Sequence, residues 1–266
     1  MNLIAQTNKV AENNPAQVIL RTENVRKSYG GKPLLEDITI EVKKGELVSL
    51  LGQSGSGKTT LFNIISGLIK PEGGKVILHE RDVTGEAGHV AYMLQKDLLL
   101  PYKTILDNVA LPLLLSGIKL PEARKQAGEL FEFFGLAGTQ KKYPAQLSGG
   151  MRQRAALLRT YLFSDDLALL DESFSALDTI TRSALHQWYL EVMENIHLTT
   201  LFITHDIDEA ILLSDRIYLL TGSPSRISRE IIIAEKKPRT EEFKLSQRFL
   251  EYKRTIIHEL AGSNVK

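Results

Sequence analysis

The hydrophobic pattern changes period several times along the chain, and each change marks an element. Between Val18 and Ile40, "VILRTENV" and "DITIEV" carry alternating and β-branched residues on either side of the turn-like "YGGKP". That pattern predicts antiparallel strands near the front of the fold. "GELVSLLG" is a short continuous apolar run, as a buried strand requires; "GKTTLFNIISGLI" then sets Leu61, Phe62, Ile64, Ile65 and Leu68 on the apolar side of a helix. "PEGGKVILHERDV" returns as a hairpin. Ile105 to about Phe163 reads as mostly helical, broken at Pro121, Gly135 and "YPAQLSGG", with Phe131 and Phe134 at the spacing of core residues. Strand-like "LALLDE" and "TTLFITHD" then flank the helical "TITRSALHQWYLEVMENI". Strands alternating with helices predict a parallel α/β sheet. "DRIYLLTGSPSRISREIII" predicts a closing strand pair, and "KPRTEEFKLSQRFLEYKRTIIHELAG" a charged, peripheral helix.

Composition narrows what this fold does. The 266 residues suffice for one large or two small domains with a sizeable core. Lysine and arginine (33) nearly balance aspartate and glutamate (32), for a net charge of +1, so no broad nucleic-acid or acidic-membrane footprint is expected. With no cysteine, disulfides, zinc–thiolate sites and thiol catalysis are excluded. The first residues, "MNLIAQTNKVAENNPAQ", lack the apolar stretch of a secretory signal and read as a flexible segment, residues 1–17. The most apolar region, "DLLLPYKTILDNVALPLLLSGI", is interrupted by Pro101, Lys103, Asp107 and Pro112, whereas a membrane-spanning helix needs about 20 mostly apolar residues. A soluble chain, or one held at a membrane by a partner, is expected.

The candidate chemistry starts at Leu50, where "LLGQSGSGKTTLF" fits G-x-x-x-x-G-K-[ST] through Gly52, Gly57, Lys58 and Thr59. Glycine costs roughly 0.5–1 kcal/mol against alanine in regular structure, so such a cluster implies an unusual backbone path. Between a strand and a helix, such a loop turns its amides onto phosphate oxygens at the helix start. Lys58 would reach the β- and γ-phosphates and Thr59 would offer its hydroxyl to Mg²⁺. At the end of "LALLDE", Asp171 is placed to hold the Mg²⁺ shell and Glu172 to polarise an attacking water; a solvent-facing acidic strand end is the plain alternative. "LSGGMRQR" puts Ser148, Gly149 and Gly150 at the start of an amphipathic helix, either as a capped helix or as a second anion site. Two phosphate-seeking helix starts so far apart in sequence suggest that they face each other across a dimer.

Together these residues resemble the ATP-binding cassette (ABC) family from about Val18 to Ile232, with its motifs in order. The resemblance implies a P-loop NTPase (RecA-like) core with a parallel sheet, an antiparallel β subdomain and an inserted α-helical subdomain. It divides the chain into a cassette at 18–234, with the helical subdomain at about 98–163, and a helical tail at 235–266. Walker A would be Gly52 to Thr59, with Ser54, Gly55 and Thr60 also at the phosphates. Gln95 in "YMLQKD" would be the Q-loop glutamine, near both catalysis and Mg²⁺. "LSGGM" would be the signature, Asp178 in "SALD" the D-loop aspartate, and His205 in "ITHD" the switch histidine. Tyr29 matches the aromatic that stacks on adenine; an ordinary half-buried β aromatic is its alternative. Ser173 stands where proline is commonest and Met151 where glutamine is frequent, which leaves the hydrolysis rate in question.

The resemblance also implies ATP and Mg²⁺ as cofactors and a second ATPase subunit, one nucleotide lying between each Walker A and the other subunit's Ser148–Gly150. The short stretch from Thr59 to Leu147 leaves no space for the long coiled coils of chromosome-maintenance relatives. "LLPYKTILDNVALPL", "ESFSALD" and "THDIDEAILLSDRIYLLTGSPSRI" look like the nitrate/sulfonate/taurine importer group, which includes importers of thiamine precursors. The expectation is an ATPase subunit on the cytoplasmic face of the cell membrane, serving a separate permease and an extracytoplasmic substrate-binding protein, with no nucleic-acid partner. The Leu98–Leu115 region would form much of the groove for the permease. An exporter subunit, or a soluble ATPase remodelling a protein or nucleic-acid complex, is the alternative.

Overall fold

The computed structural model describes residues 17–164, 166–172 and 179–262. It opens with strands β1 (Val18–Tyr29), β2 (Lys32–Lys43) and β3 (Leu47–Gly52), helix α1 (Lys58–Ile65), and strands β4 (Gly73–Leu78), β5 (Arg81–Asp82) and β6 (Ala91–Met93). Helices α2 (Ile105–Val109), α3 (Leu111–Leu115), α4 (Leu120–Glu129) and α5 (Gly149–Phe163) follow. The second half contains β7 (Leu167–Asp171), α6 (Thr179–Ile196), β8 (Thr199–Thr204), α7 (Ile207–Leu213), β9 (Arg216–Gly222) and β10 (Ser225–Ile232), and ends with α8 (Glu241–Lys244) and α9 (Gln247–Gly262).

The strands form one mixed ten-stranded sheet in the order β5-β4-β1-β2-β10-β9-β3-β8-β7-β6. β3, β8, β7, β6 and β9 are joined by parallel pairings, while β1 pairs antiparallel with β2 and β4, and β9 with β10. This is the P-loop NTPase arrangement expected, the antiparallel part continuing the parallel sheet through a single β10–β2 pairing at Ser225 and Leu35. Every residue of β3, β7 and β8 is buried, as parallel strands covered on both faces require. Their two-residue period divides the interior. Leu47, Leu51, Ala168, Leu170 and Phe202 join the core beneath the helices, and Val48, Leu50, Leu167, Leu169, Leu201 and Ile203 join the core with α1 and the antiparallel strands.

Two expectations are corrected. α1 ends at Ile65, because Gly67 takes a left-handed φ of 76° and comes so close to Glu86 that an added Cβ would lie 2.1 Å from its carbonyl oxygen. Leu68, expected on the buried side of that helix, is therefore 63% exposed. The terminal helix is less peripheral than its charge suggested. Phe249, Tyr252 and Ile256 recur at helical spacing on α9 and are buried in the same core as Ala210, Ile211 and Leu213 of α7. Phe131 and Phe134 are buried, as expected. Phe134 packs against Trp188 of α6 at 6.1 Å between ring centroids, and the Arg154 guanidinium of α5 lies 4.6 Å from the same indole ring.

Candidate active site

The glycine-rich loop leaves β3 at its C-terminal edge and enters α1 at Gly57. Gly52 passes so close to β9 that a Cβ would meet the Leu220 carbonyl oxygen at 2.6 Å and Ser56 Oγ at 2.9 Å. Gly57 has φ 89°, and a Cβ there would lie 2.7 Å from Leu35 Cδ2. These contacts explain why positions 52 and 57 are glycine. α1 has no side-chain cap and no acidic residue in its first turn, so its leading amides and its dipole are left to an anion.

Lys58 lies inside the loop, buried, and its Nζ donates to the carbonyl oxygens of Gly52 and Gln53, both at 2.8 Å. Burial pulls its pKa below the ordinary lysine range, an effect opposed by the Glu172 and Asp171 carboxylates. Thr59 Oγ1 donates to Asp171 Oδ2 at 3.1 Å, and Tyr92 from β6 donates to the same oxygen at 3.3 Å. Burial raises the Asp171 carboxyl above its ordinary range; the bond from Thr59 acts in the opposite direction, and the neighbouring Glu172 charge adds to the rise. Burial likewise raises the Tyr92 hydroxyl, with the Asp171 charge reinforcing it. The Thr59 hydroxyl and the Asp171 carboxylate offer adjacent hard oxygens, a donor set that fits Mg²⁺, which keeps its remaining positions for water and phosphate.

Glu172 follows β7 with φ 44°, a left-handed conformation that costs a side-chain-bearing residue about 1–3 kcal/mol. Its amide donates to the Ile203 carbonyl at 3.0 Å, so the residue stays attached to the sheet while its side chain turns toward the loop. Gln95 Nε2 donates to Glu172 Oε2 at 3.4 Å, and His205 Nδ1 lies 3.1 Å from Glu172 Oε1. Lys58, Thr59, Gln95, Asp171, Glu172 and His205, scattered over much of the chain, thus converge at the C-terminal edge of the parallel strands, where open α/β sheets bind their ligands.

Two sequence-selected groups lie elsewhere. Ser148 caps α5, accepting from the Met151 amide at 3.3 Å, and among the described residues no hydrogen bond or ion pair joins it to the cluster around Lys58. Tyr29 ends β1, 50% exposed, with Lys27 Nζ 5.5 Å from its ring centre. Asp178 and Ser173 lie outside the described residues. Ser54, Gly55 and Thr60 belong to the loop and the first turn of α1, and Gly149 and Gly150 open α5.

The sequence reading missed the groups that anchor the segment just after Gln95. Arg152 Nε donates to Asp97 Oδ2 at 3.1 Å, and Arg159 donates to the Asp97 and Leu98 carbonyls. Two arginines seven residues apart on one face of α5 were the available signal, but their acceptors lie more than fifty residues earlier.

Residues 35–175 match the family described as ABC transporter. The formylaminopyrimidine import ATP-binding protein ThiZ of Halalkalibacterium halodurans is 45% identical over 207 residues, 77% of this chain and 81% of that protein. An uncharacterized ABC transporter ATP-binding protein of Methanocaldococcus jannaschii, MJ0412, is 37% identical over 97% of both chains. A sulfate/thiosulfate import ATP-binding protein, CysA 2 of Rhizobium meliloti, is 39% identical over 78% of this chain and 60% of its own length. Among solved structures, the dimeric post-hydrolysis state of the ATP-binding cassette MJ0796 bound to ADP and Pi superposes with a TM-score of 0.69 at 30% identity, covering 82% of this chain and all of that one. Fold, converging site and matched sequence agree: this chain belongs to the ABC transporter family, as an ATP-binding domain that hydrolyses ATP.

Proposed function

We propose that the chain is the ATPase subunit of an importer, energising uptake of a small anionic or heterocyclic solute through a separate permease at the cytoplasmic face of the membrane. The observation that carries this reading is an apolar groove of about 410 Å³ beside the Q-loop, lined by Leu68, Leu98, Leu111, Leu115 and Phe163. Leu115 is 78% and Leu98 53% exposed, and apolar side chains gathered around one concavity mark a surface for a partner's helix. Tyr92 also lines the groove and donates to Asp171 at 3.3 Å, so a helix seated there would feel the state of the nucleotide site. Relatives named for formylaminopyrimidine and sulfate import support the importer assignment and the solute class.

In this reading the loop amides and Lys58 neutralise the phosphates, Tyr29 stacks on the adenine, and Gln95 senses the γ-phosphate end. Thr59, Asp171 and Gln95 would hold Mg²⁺, which when bound supplies positive charge to the β- and γ-phosphate oxygens. Glu172 polarises the attacking water and His205 orients it. Ser148, Gly149 and Gly150 lie apart from the loop of their own chain, so they serve the nucleotide of a second ATPase subunit, where Asp178 also makes its contact. ATP then favours the closed pair because only that state uses both surfaces.

The test is purification of the chain from its native membranes in mild detergent, beside Leu115→Asp. A multi-helix permease and a substrate-binding protein should accompany the parent, whereas Leu115→Asp should lose both while the isolated chain still hydrolyses ATP. A permease without a binding protein would favour an exporter. Recovery only from the soluble fraction would overturn the transporter reading and favour a remodelling ATPase.

A further inference from the structure

His205 is held by its neighbours on both sides. Thr204, the last residue of β8, donates from Oγ1 to Glu209 Oε2. The amide of Asp206 donates to that same Thr204 hydroxyl at 3.0 Å, and the amide of Glu209 donates to Asp206 Oδ1 at 3.1 Å. One buried carboxylate therefore closes a ring of hydrogen bonds around the peptide units that carry the histidine. Its second oxygen accepts from His186 Nε2 of α6 at 2.6 Å. At the other end of α7, Arg239 donates to the carbonyls of Ile211, Leu212 and Ser214, so the helix that carries Glu209 is fixed at both ends.

A carboxylate this buried is costly unless its lone pairs are used, and an apolar side chain would serve packing on α7 at less cost. What an apolar side chain would not supply is direction. Glu209 fixes the Thr204 rotamer, which fixes the Asp206 amide, leaving the backbone at His205 one orientation, with Nδ1 turned to Glu172. We propose that Glu209 is a positioning residue for ATP hydrolysis, acting on the reaction through Thr204 and His205 without touching nucleotide. The inference rests on the reading of His205 as the group that orients the attacking water.

The test is a mutant cycle on the full chain at saturating MgATP, with turnover followed by release of radiolabelled phosphate. Glu209→Ala should lower kcat about tenfold and leave the Kd for MgATP within about twofold, since misorientation acts on the chemical step. Thr204→Val keeps the shape of the side chain, removes its hydroxyl and should show the same loss, which covers the case in which Glu209→Ala fails to fold. Glu209→Gln can still accept from Thr204 and should restore kcat to within about threefold of the parent. In the His205→Ala background, Glu209→Ala and Thr204→Val should cost nothing further. Equal losses with and without His205, or parental turnover in Thr204→Val, would overturn the inference alone. Parental turnover in His205→Ala itself would overturn the assignment of His205, and this inference with it.

Discussion

Arg239→Met tests how the tail is attached to the cassette. Arg239 is 5% exposed. Its Nη1 donates to the carbonyls of Ile211 at 2.8 Å, Leu212 at 3.1 Å and Ser214 at 2.6 Å, while Nη2 and Nε donate to the backbone carbonyl of Glu235 at 2.8 and 3.0 Å. The last carbonyls of a helix have no partner within it, and this side chain supplies one at the end of α7. Each bond from a charged donor stabilises by roughly 1.5–3 kcal/mol, but burying the guanidinium costs several kcal/mol, and that burial also pulls its pKa down. Methionine removes the charge and its desolvation cost, yet leaves the Ile211, Leu212 and Ser214 carbonyls dry at about 1 kcal/mol or more each. The net loss should be about 3 kcal/mol, or a fall in Tm of roughly 6–12 °C for a chain of this size. Arg239→Ala opens space for water to reach those carbonyls and should cost about half as much. Urea and thermal unfolding followed by far-UV circular dichroism measure both. A methionine variant within about 1 kcal/mol of the parent, or more stable than the alanine variant, would refute the reasoning.

Two smaller perturbations follow from the same structure. Asp107 accepts from Arg124 Nε at 2.7 Å and Nη2 at 3.0 Å, joining α2 to α4, and these bonds, with a further one from Thr104, hold its carboxyl below the ordinary range. A depressed carboxylate stabilises fully above its unfolded pKa and loses that contribution as pH falls through the folded value. Asp107→Asn should therefore cost about 0.5–1 kcal/mol at pH 7, given the half-exposed arginine, and the gap in urea titrations should close below about pH 4; a gap unchanged at pH 3 refutes it. Gly57→Ala forces a side chain into φ 89° against Leu35, and should weaken MgATP binding at least about tenfold by calorimetry while destabilising the fold by about 1–3 kcal/mol. Parental affinity would show that the loop tolerates another backbone path.

What the sequence revealed depended on how far each group's partners lay along the chain. The phosphate loop, Asp171 and Glu172 are local patterns: an apolar strand, a sharp turn, a polar end. β6 escaped notice because three residues, Ala91–Met93, are too few to display a period, although its Tyr92 reaches Asp171. Leu68 was misplaced because apolar spacing runs on past Ser66 and Gly67, where the backbone leaves the helix. An apolar residue belonging to a surface groove has the same signature in sequence as one belonging to a core. Glu209 stood out only as an acid inside "IDEAILL", and Arg239 only as a cation after a proline; their partners on β8, α6 and the far end of α7 come together in three dimensions alone.

The chain has a single tryptophan, Trp188, and its indole ring lies between Arg154 of α5 and Phe134 of the helical layer. Any rotation of that layer against α6 changes the distance of a cation from the only indole that emits. Ultraviolet fluorescence of the unlabelled protein would therefore report any such rotation directly, in the same cuvette and on the same timescale as a stopped-flow addition of nucleotide.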